Sequence, residues 1–275
     1  MTTRPSIVWF RDDLRLSDHP ALHAAATAQA PVVGIYVLDE RAPGVRSPGA
    51  AARWWLAQSL RALQEDLRQR GASLVLRKGS APRVIAGLAG EIGAAAVYWN
   101  EIAEGPHGKV ADQLADALAE IGVAAERFPG DLLAEPSQIR NKENRGLRVF
   151  TPFWRRVQSL GYPAKPLPAP KKLNGVSEIA GDALEAWHLE PTRPDWAGGL
   201  RETWRPGEAS AQARLKEFLA DGVAGYSGDR DRPDRDGTSR LSPHLRFGEI
   251  SPRQVWHAAK SVSYTHLTLP TIYSV

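Results

Sequence analysis

Short apolar runs alternate with longer stretches of helical periodicity through the first 128 residues. Residues 7–10, 32–38, 74–76, 94–99 and 123–128 are continuous enough in apolar character to be strands buried on both faces. Helical patterns fill the gaps, near residues 21–28, 50–70, 81–91 and 109–121. The second is the clearest, with Trp54, Leu56, Leu60, Leu63 and Leu67 mostly at three- and four-residue steps and Gly71 placed to end it. Strands alternating with helices predict an α/β fold built on a Rossmann-like parallel sheet, over residues 1–128.

Past Phe128 the alternation ends. Residues 129–205 carry turn signals and a Pro-rich basic stretch, YPAKPLPAPKK, and read as a connector. An aromatic cluster interleaved with arginines, VFTPFWRR at 149–156, precedes it. Such a cluster either stacks bases or forms a short helix that packs its rings between domains. A helix resumes near Glu208, with Leu215, Phe218 and Leu219 on one face and Gly222 at its end. No strand pattern follows, so residues 206–260 read as the start of an all-α unit.

Composition adds limits. The chain has 275 residues, 43% hydrophobic, with nine Trp, enough for a buried core. It has no cysteine, which excludes disulfides, thiolate metal sites and a Cys nucleophile, and suits a reducing cytoplasm. No stretch approaches the roughly 20 apolar residues of a membrane span, so a cytoplasmic protein, monomeric and away from membranes, is expected. Residues 1–127 hold 14 Lys/Arg against 14 Asp/Glu, and the formal +4 therefore lies in the second half. Residues 140–172 concentrate nine Lys/Arg against Glu143 alone, which fits either contact with a polyanion such as DNA or a solvated basic linker.

Two places carry candidate chemistry. In the sheet, the first strand leads into RDDLRLSDHPAL, with five charges between Arg11 and Asp18, where a dinucleotide fold would need glycines. A nicotinamide dehydrogenase fits poorly. Asn100 and Glu101 leave the fourth strand where open α/β sheets read ligands, and an amide with a carboxylate suits a pterin-like ring; the same pair can equally satisfy loop backbone groups.

The second place is residues 226–255, YSGDRDRPDRDGTSRLSPHLRFGEISPRQV. Seven charges lie between Asp229 and Asp236, then Thr238, Ser239, Arg240 and Ser242 offer hydroxyls and a guanidinium suited to phosphate oxygens. Ser242-Pro243 reads as an N-cap with proline first in the helix, and Ser251 with Gln254 as a capping box. His244 falls in the new helix and reads as a surface or capping residue. No general acid, base, nucleophile or metal constellation is evident.

The string from Tyr226 through Thr-Ser-Arg-Leu-Ser to Arg-Phe-Gly-Glu-Ile-Ser-Pro-Arg resembles the flavin-binding signature of the DNA photolyase/cryptochrome family. FRDDLRLSDHPAL resembles the opening of that family's antenna domain, and the chain is similar to its class I-like deoxyribodipyrimidine photolyases over about residues 5–260. The resemblance implies an antenna domain at 1–128, an interdomain linker at 129–205 and the beginning of a helical FAD-binding domain at 206–260. It implies FAD held by Tyr226, Thr238, Ser239, Arg240, Leu241 and Ser242, with Leu241 contributing backbone. Arg230 matches a position near DNA phosphates. Asn100 and Glu101 match an antenna site, with methenyltetrahydrofolate the leading chromophore. The implied activity is light-driven repair of cyclobutane pyrimidine dimers by an electron from reduced FAD; the alternatives are a blue-light sensor or an inert α/β binding module.

Residues 261–275, SVSYTHLTLPTIYSV, have no charge and do not resemble the family. They read as a non-native tail on a C-terminally truncated chain, with the preceding helix ending near Lys260.

Overall fold

A computed structural model describes residues 3–103, 105–130, 132–161, 163–176 and 179–266. Five strands, β1 (Ser6–Phe10), β2 (Val32–Leu38), β3 (Ser73–Lys78), β4 (Ala96–Asn100) and β5 (Ala124–Phe128), form one parallel sheet in the order β3-β2-β1-β4-β5. The helices α1 (Pro20–Thr27), α2 (Ala50–Gln69), α3 (Ala81–Glu91) and α4 (Gly105–Glu120) make the crossovers. The order reverses between β1 and β4, where doubly wound sheets open a crevice at their carboxyl edge.

Each face of the sheet has its own apolar layer. Trp54, Trp55, Leu60, Leu63 and Leu67 of α2 pack with Val8 and Phe10, while α3 and α4 cover Ile7, Trp9 and Val97 on the other face. Trp9, Trp54, Trp55 and Trp99 are all buried. One expectation fails at the edge: β5 is exposed from Ala124 to Arg127, because it is the edge strand of the sheet, paired on one side only, with β4. Its sequence, AAERF, has two charges consistent with that position.

The segment after β1 is a buried polar knot. Asp13, 5% exposed, accepts from the Arg11 backbone N–H at 2.7 Å and from the Asn100 amide at 2.8 Å, and lies 3.0 Å from His19 Nε2. The other His19 nitrogen accepts from Leu22 N–H at 3.0 Å, which caps α1. Burial pushes the Asp13 carboxyl up, but His19 and the Arg11 backbone N–H outweigh it and hold it well below the usual carboxylate range. A depressed folded-state pKa gives stability that is present above about pH 4 and lost as pH falls. Melting at stepped pH should therefore show the parent losing more stability below pH 4 than Asp13→Asn; parallel profiles would remove Asp13 from the acid response.

This knot and the later signature, far apart in sequence, lock together. Ser251 Oγ and Arg253 Nε donate to Asp18, the latter at 3.0 Å. Arg15 Nη1 donates to Gly248 O at 2.9 Å, and Leu14 N–H to Phe247 O at 3.1 Å. Arg246 pairs with Asp12 at 2.6 Å. The two strings that carry the family resemblance are thus a single contact in the folded chain.

Beyond β5 the described residues form helices: α5 (Phe150–Ser159), α6 (Gly198–Thr203), α7 (Glu208–Glu217), α8 (Tyr226–Asp229), α9 (Ser242–Arg246) and α10 (Pro252–His266). The aromatic cluster is helix α5, but it leaves Val149 and Phe150 exposed. Helix α7 gives way to a π-helical turn ending at Gly222. The Ser251–Gln254 capping box forms with both reciprocal bonds, at 2.8 and 3.0 Å. Ser242 is instead the first helical residue of α9, with Leu241 at the cap position and no side-chain cap. Helix α10 also runs past Lys260 to His266, since Ser, Val and Thr weaken a helix without breaking it and the next proline is Pro270. The rest of the expected tail, 267–275, lies outside the described residues.

Candidate functional site

The hydroxyl-bearing loop is built by a fold-back of residues 226–242. Gly237 lies so close to Asp229 that a Cβ there would come 2.4 Å from the Asp229 Cβ and 2.8 Å from its carbonyl. That approach brings α8, with Tyr226, beside Thr238. From behind, Arg214 of α7 donates to the carbonyls of Ser239 at 3.0 Å and Thr238 at 3.3 Å, and pairs with Asp236 at 3.2 Å. The Leu241 side chain, 3% exposed, anchors the loop among Ala211, Leu215 and Ile250.

Held this way, the loop turns Thr238, Arg240 and Ser242 outward, with Ser239 half-buried between them. Arg240 has φ +52° and pairs with Asp236 at 2.9 Å. A left-handed non-glycine residue costs about 1–3 kcal/mol and persists only where its surroundings fix it; here Arg214 and Leu241 do so. The exposed donors suit the oxygens of a diphosphate, and Asp236 would share Arg240 with it. Tyr226 is 39% exposed, with its ring edge on Phe218 at 5.8 Å. Arg230 is exposed and 3.4 Å from Asp231, while Asp229 takes Arg235 at 2.8 Å.

The reading of His244 as a surface or capping residue is overturned. Its ring is 3% exposed, and Nδ1 lies 2.5 Å from Glu249 Oε2. Glu249, fully buried, also accepts from Trp55 Nε1 at 3.1 Å, Ser59 Oγ at 2.5 Å and Gly207 N–H at 2.7 Å. Trp55 stacks on Phe247 and meets Trp204 and His244 edge-on. The start of α9, and with it the outward loop, is bolted to helix α2 of the sheet layer.

At the carboxyl edge of β1, β2 and β4 a cavity of about 280 Å³ opens, lined by Arg11, Tyr36, Arg46, His107, Arg246 and Phe247 among others. Asn100 stands behind it, 3% exposed; its amide donates to Asp13 and accepts from Ala21 N–H at 3.0 Å. Both ends of Asn100 are therefore engaged within the fold. The Glu101 side chain is one-third exposed and 3.6 Å from Arg127.

Arg11 is the cavity's distinctive group. It is 9% exposed, its guanidinium 4.4 Å over Trp9, with Nη2 bonded to Asn100 O and with Nε and Nη1 buried without a partner. Burial lowers its pKa, against the raising effect of Asp13 and Glu101. Burial likewise pushes the Tyr36 phenol up. An anionic or acceptor-rich ligand at this edge would relieve the two orphaned donors.

Sequence reasoning found the hydroxyl loop but missed Arg214, Glu249, Trp55 and Arg11. Arg214 had a weak signal, a cation in the last turn of helix α7; the long-range partners had none. Among the described residues no group of His, Cys, Asp and Glu is placed to hold a metal, and no helix is long and apolar enough to cross a membrane.

The family model described as DNA photolyase matches residues 6–171. A deoxyribodipyrimidine photo-lyase of Agrobacterium fabrum is 42% identical over 96% of this chain and 54% of its own length. Cryptochrome-1 of Arabidopsis thaliana is 35% identical over 93% of this chain and 38% of its own. The crystal structure of a class III photolyase from Agrobacterium tumefaciens superposes with a TM-score of 0.92 at 39% identity, covering 98% of this chain and 55% of that one. The chain spans about half the length of the photolyase relatives it matches. With a parallel 3-2-1-4-5 sheet, the interlocked pair of signatures and these matches, the chain belongs to the DNA photolyase family.

Proposed function

We propose that this chain contributes the antenna unit and the diphosphate-binding wall of a flavin-dependent photolyase acting on pyrimidine dimers in DNA. The observation that carries the reading is the outward run Thr238, Arg240 and Ser242, fixed from behind by Arg214 and Leu241. FAD held there would supply light-driven one-electron chemistry toward the dimer. This chain's part is to bind and orient. Thr238, Ser239 and Ser242 offer hydroxyl or backbone N–H donors to the diphosphate, Leu241 its backbone and Arg240 its charge, with Tyr226 alongside. The division at 128, 205 and 260 belongs to this reading, as do cytoplasmic placement and a monomeric state.

The antenna chromophore, methenyltetrahydrofolate in the leading version, would lie at the carboxyl edge of the sheet. Asn100 would then act by holding the edge in shape and Glu101 by direct contact, with the orphaned donors of Arg11 facing the ligand. Arg230, exposed beside Asp231, would reach a DNA phosphate, as would the basic segment 140–172. Similarity to a class III photolyase favours that branch of the family.

The test of the flavin loop is FAD titration of Arg240→Ala. Loss of one charge-assisted contact at a half-exposed site should weaken binding about tenfold, and unchanged occupancy would reject the loop as the diphosphate site. A blue-light sensor is the second reading, favoured by the 35% identity to Cryptochrome-1. Dimer repair on irradiated oligothymidylate, with and without blue light, separates the two: flavin binding without repair selects the sensor.

A further inference from the structure

The charges between Asp229 and Asp236 are paired off by the fold in an uneven way. Asp229 takes Arg235 at 2.8 Å, Asp231 takes Arg230 at 3.4 Å and Asp234 takes Arg232 at 2.6 Å. Each arginine of the run is thereby matched to an acid of the same run. Asp236, the remaining acid, reaches outside it. Its Oδ1 lies 3.2 Å from Arg214 Nη2 and 2.9 Å from Arg240 Nε, and its Oδ2 accepts from Arg214 Nη2 at 3.4 Å. One carboxylate therefore bridges the arginine behind the hydroxyl loop and the arginine on it.

The two cations differ in how firmly they are held. The Arg214 side chain is 22% exposed and bonded on all sides, by Nε to Ser239 O at 3.0 Å, by Nη2 to Thr238 O at 3.3 Å and by Nη1 to Glu217 at 3.1 Å. The Arg240 side chain is 43% exposed, and Asp236 meets it at Nε, which leaves Nη1 and Nη2 to face a ligand. A long side chain free in solvent loses rotamer freedom when a ligand orders it, and that loss weakens binding. A carboxylate anchored on Arg214 removes much of the freedom before any ligand arrives. Its charge does not oppose an anion, because Arg214, Asp236 and Arg240 together keep one net positive charge.

We infer that Asp236 is a positioning residue for the diphosphate site, carrying the fixed position of Arg214 over to Arg240 and so presenting the Arg240 guanidinium to the ligand. The inference rests on the flavin reading of the loop.

FAD titration of the full chain, read by flavin fluorescence, tests it. Asp236→Ala should weaken binding about threefold to tenfold, the range for ordering one long side chain. Circular dichroism and Tm should stay close to the parent's, since Arg214 keeps its bonds to the loop carbonyls. The sign is diagnostic: the substitution removes a negative charge from beside an anionic ligand, so charge alone predicts tighter binding. Asp236→Asn keeps the shape and one acceptor oxygen and should fall between; it carries the test if the alanine variant does not fold. In an Arg240→Ala background, Asp236→Ala should have no further effect, because Asp236 acts through Arg240. Unchanged or tighter binding in the folded Asp236 variants overturns the inference. So does an equal loss with and without Arg240, which would mark a general disturbance of the loop. If the parent binds no FAD, or Arg240→Ala binds it as the parent does, the flavin reading fails and this inference with it. If Arg240→Ala weakens binding and the Asp236 variants do not, the flavin reading stands and the role of Asp236 is rejected.

Discussion

Glu249→Ala is expected to lower stability by about 3–5 kcal/mol, the usual consequence of removing one partner from a buried charged network. Its carboxylate takes Trp55 Nε1, Ser59 Oγ, Gly207 N–H and His244 Nδ1, and it is 0% exposed. Alanine leaves these groups without their acceptor, in a space that water must enter to serve them. For a chain of this size the change should appear as a drop of at least 6 °C in Tm, at roughly 2–4 °C per kcal/mol. Glu249→Gln should fall between, because an amide offers one acceptor oxygen where the carboxylate has two. Tryptophan emission is a suitable probe, since Trp55 lies against His244 and Trp204 at 5.1 and 5.4 Å. An alanine variant that melts with the parent would show that Glu249 does not bolt the loop to helix α2.

That network shows where reading the sequence reaches its limit. The sheet was legible because burial on both faces leaves a local mark, a continuous apolar run, on β1 and β2; the run at β5 is interrupted by Glu126 and Arg127, and that strand is exposed. The capping box was legible because Ser251 and Gln254 satisfy each other three residues apart. Glu249 and His244 carry no such local mark. A buried carboxylate and a solvated one are the same letter, and the donors that decide between them come from Trp55 and Ser59, nearly two hundred residues earlier in the chain. Asp18 and Ser251 are likewise 233 residues apart.

The same distance explains the candidate site. Thr238, Ser239, Arg240 and Ser242 could be picked out as phosphate-suited by their chemistry. Which of them faces outward depends on Arg214 gripping the loop carbonyls and on Leu241 entering the core. The two strings that carry the resemblance read as independent marks of one family. In the folded chain Asp12 pairs with Arg246 and Arg15 with the Gly248 carbonyl, so a change in either string is felt by the other.

Gly248→Ala tests that coupling with a single methyl group. Gly248 has φ +63°, and a Cβ there would lie 2.0 Å from Asp12 O and 2.4 Å from Asp13 Cα. Both obstacles are backbone of the buried knot, so no side chain can swing aside. The left-handed conformation costs about 1–2 kcal/mol for an L-residue, and forcing the strings apart adds about 1–3 kcal/mol of overpacking. A loss of roughly 2–5 kcal/mol is therefore expected in urea unfolding. The same substitution at Gly87, exposed in the middle of α3 with nothing within 4 Å of the added atom, should instead stabilise by about 0.4–1 kcal/mol, because alanine restricts the unfolded chain. Opposite signs for one chemical change separate a steric lock from a general response to lost glycine. If Gly248→Ala proved as neutral or as favourable as Gly87→Ala, the two strings would not meet as closely as described, and the route from the sheet layer to the hydroxyl loop through α9 would have to be redrawn.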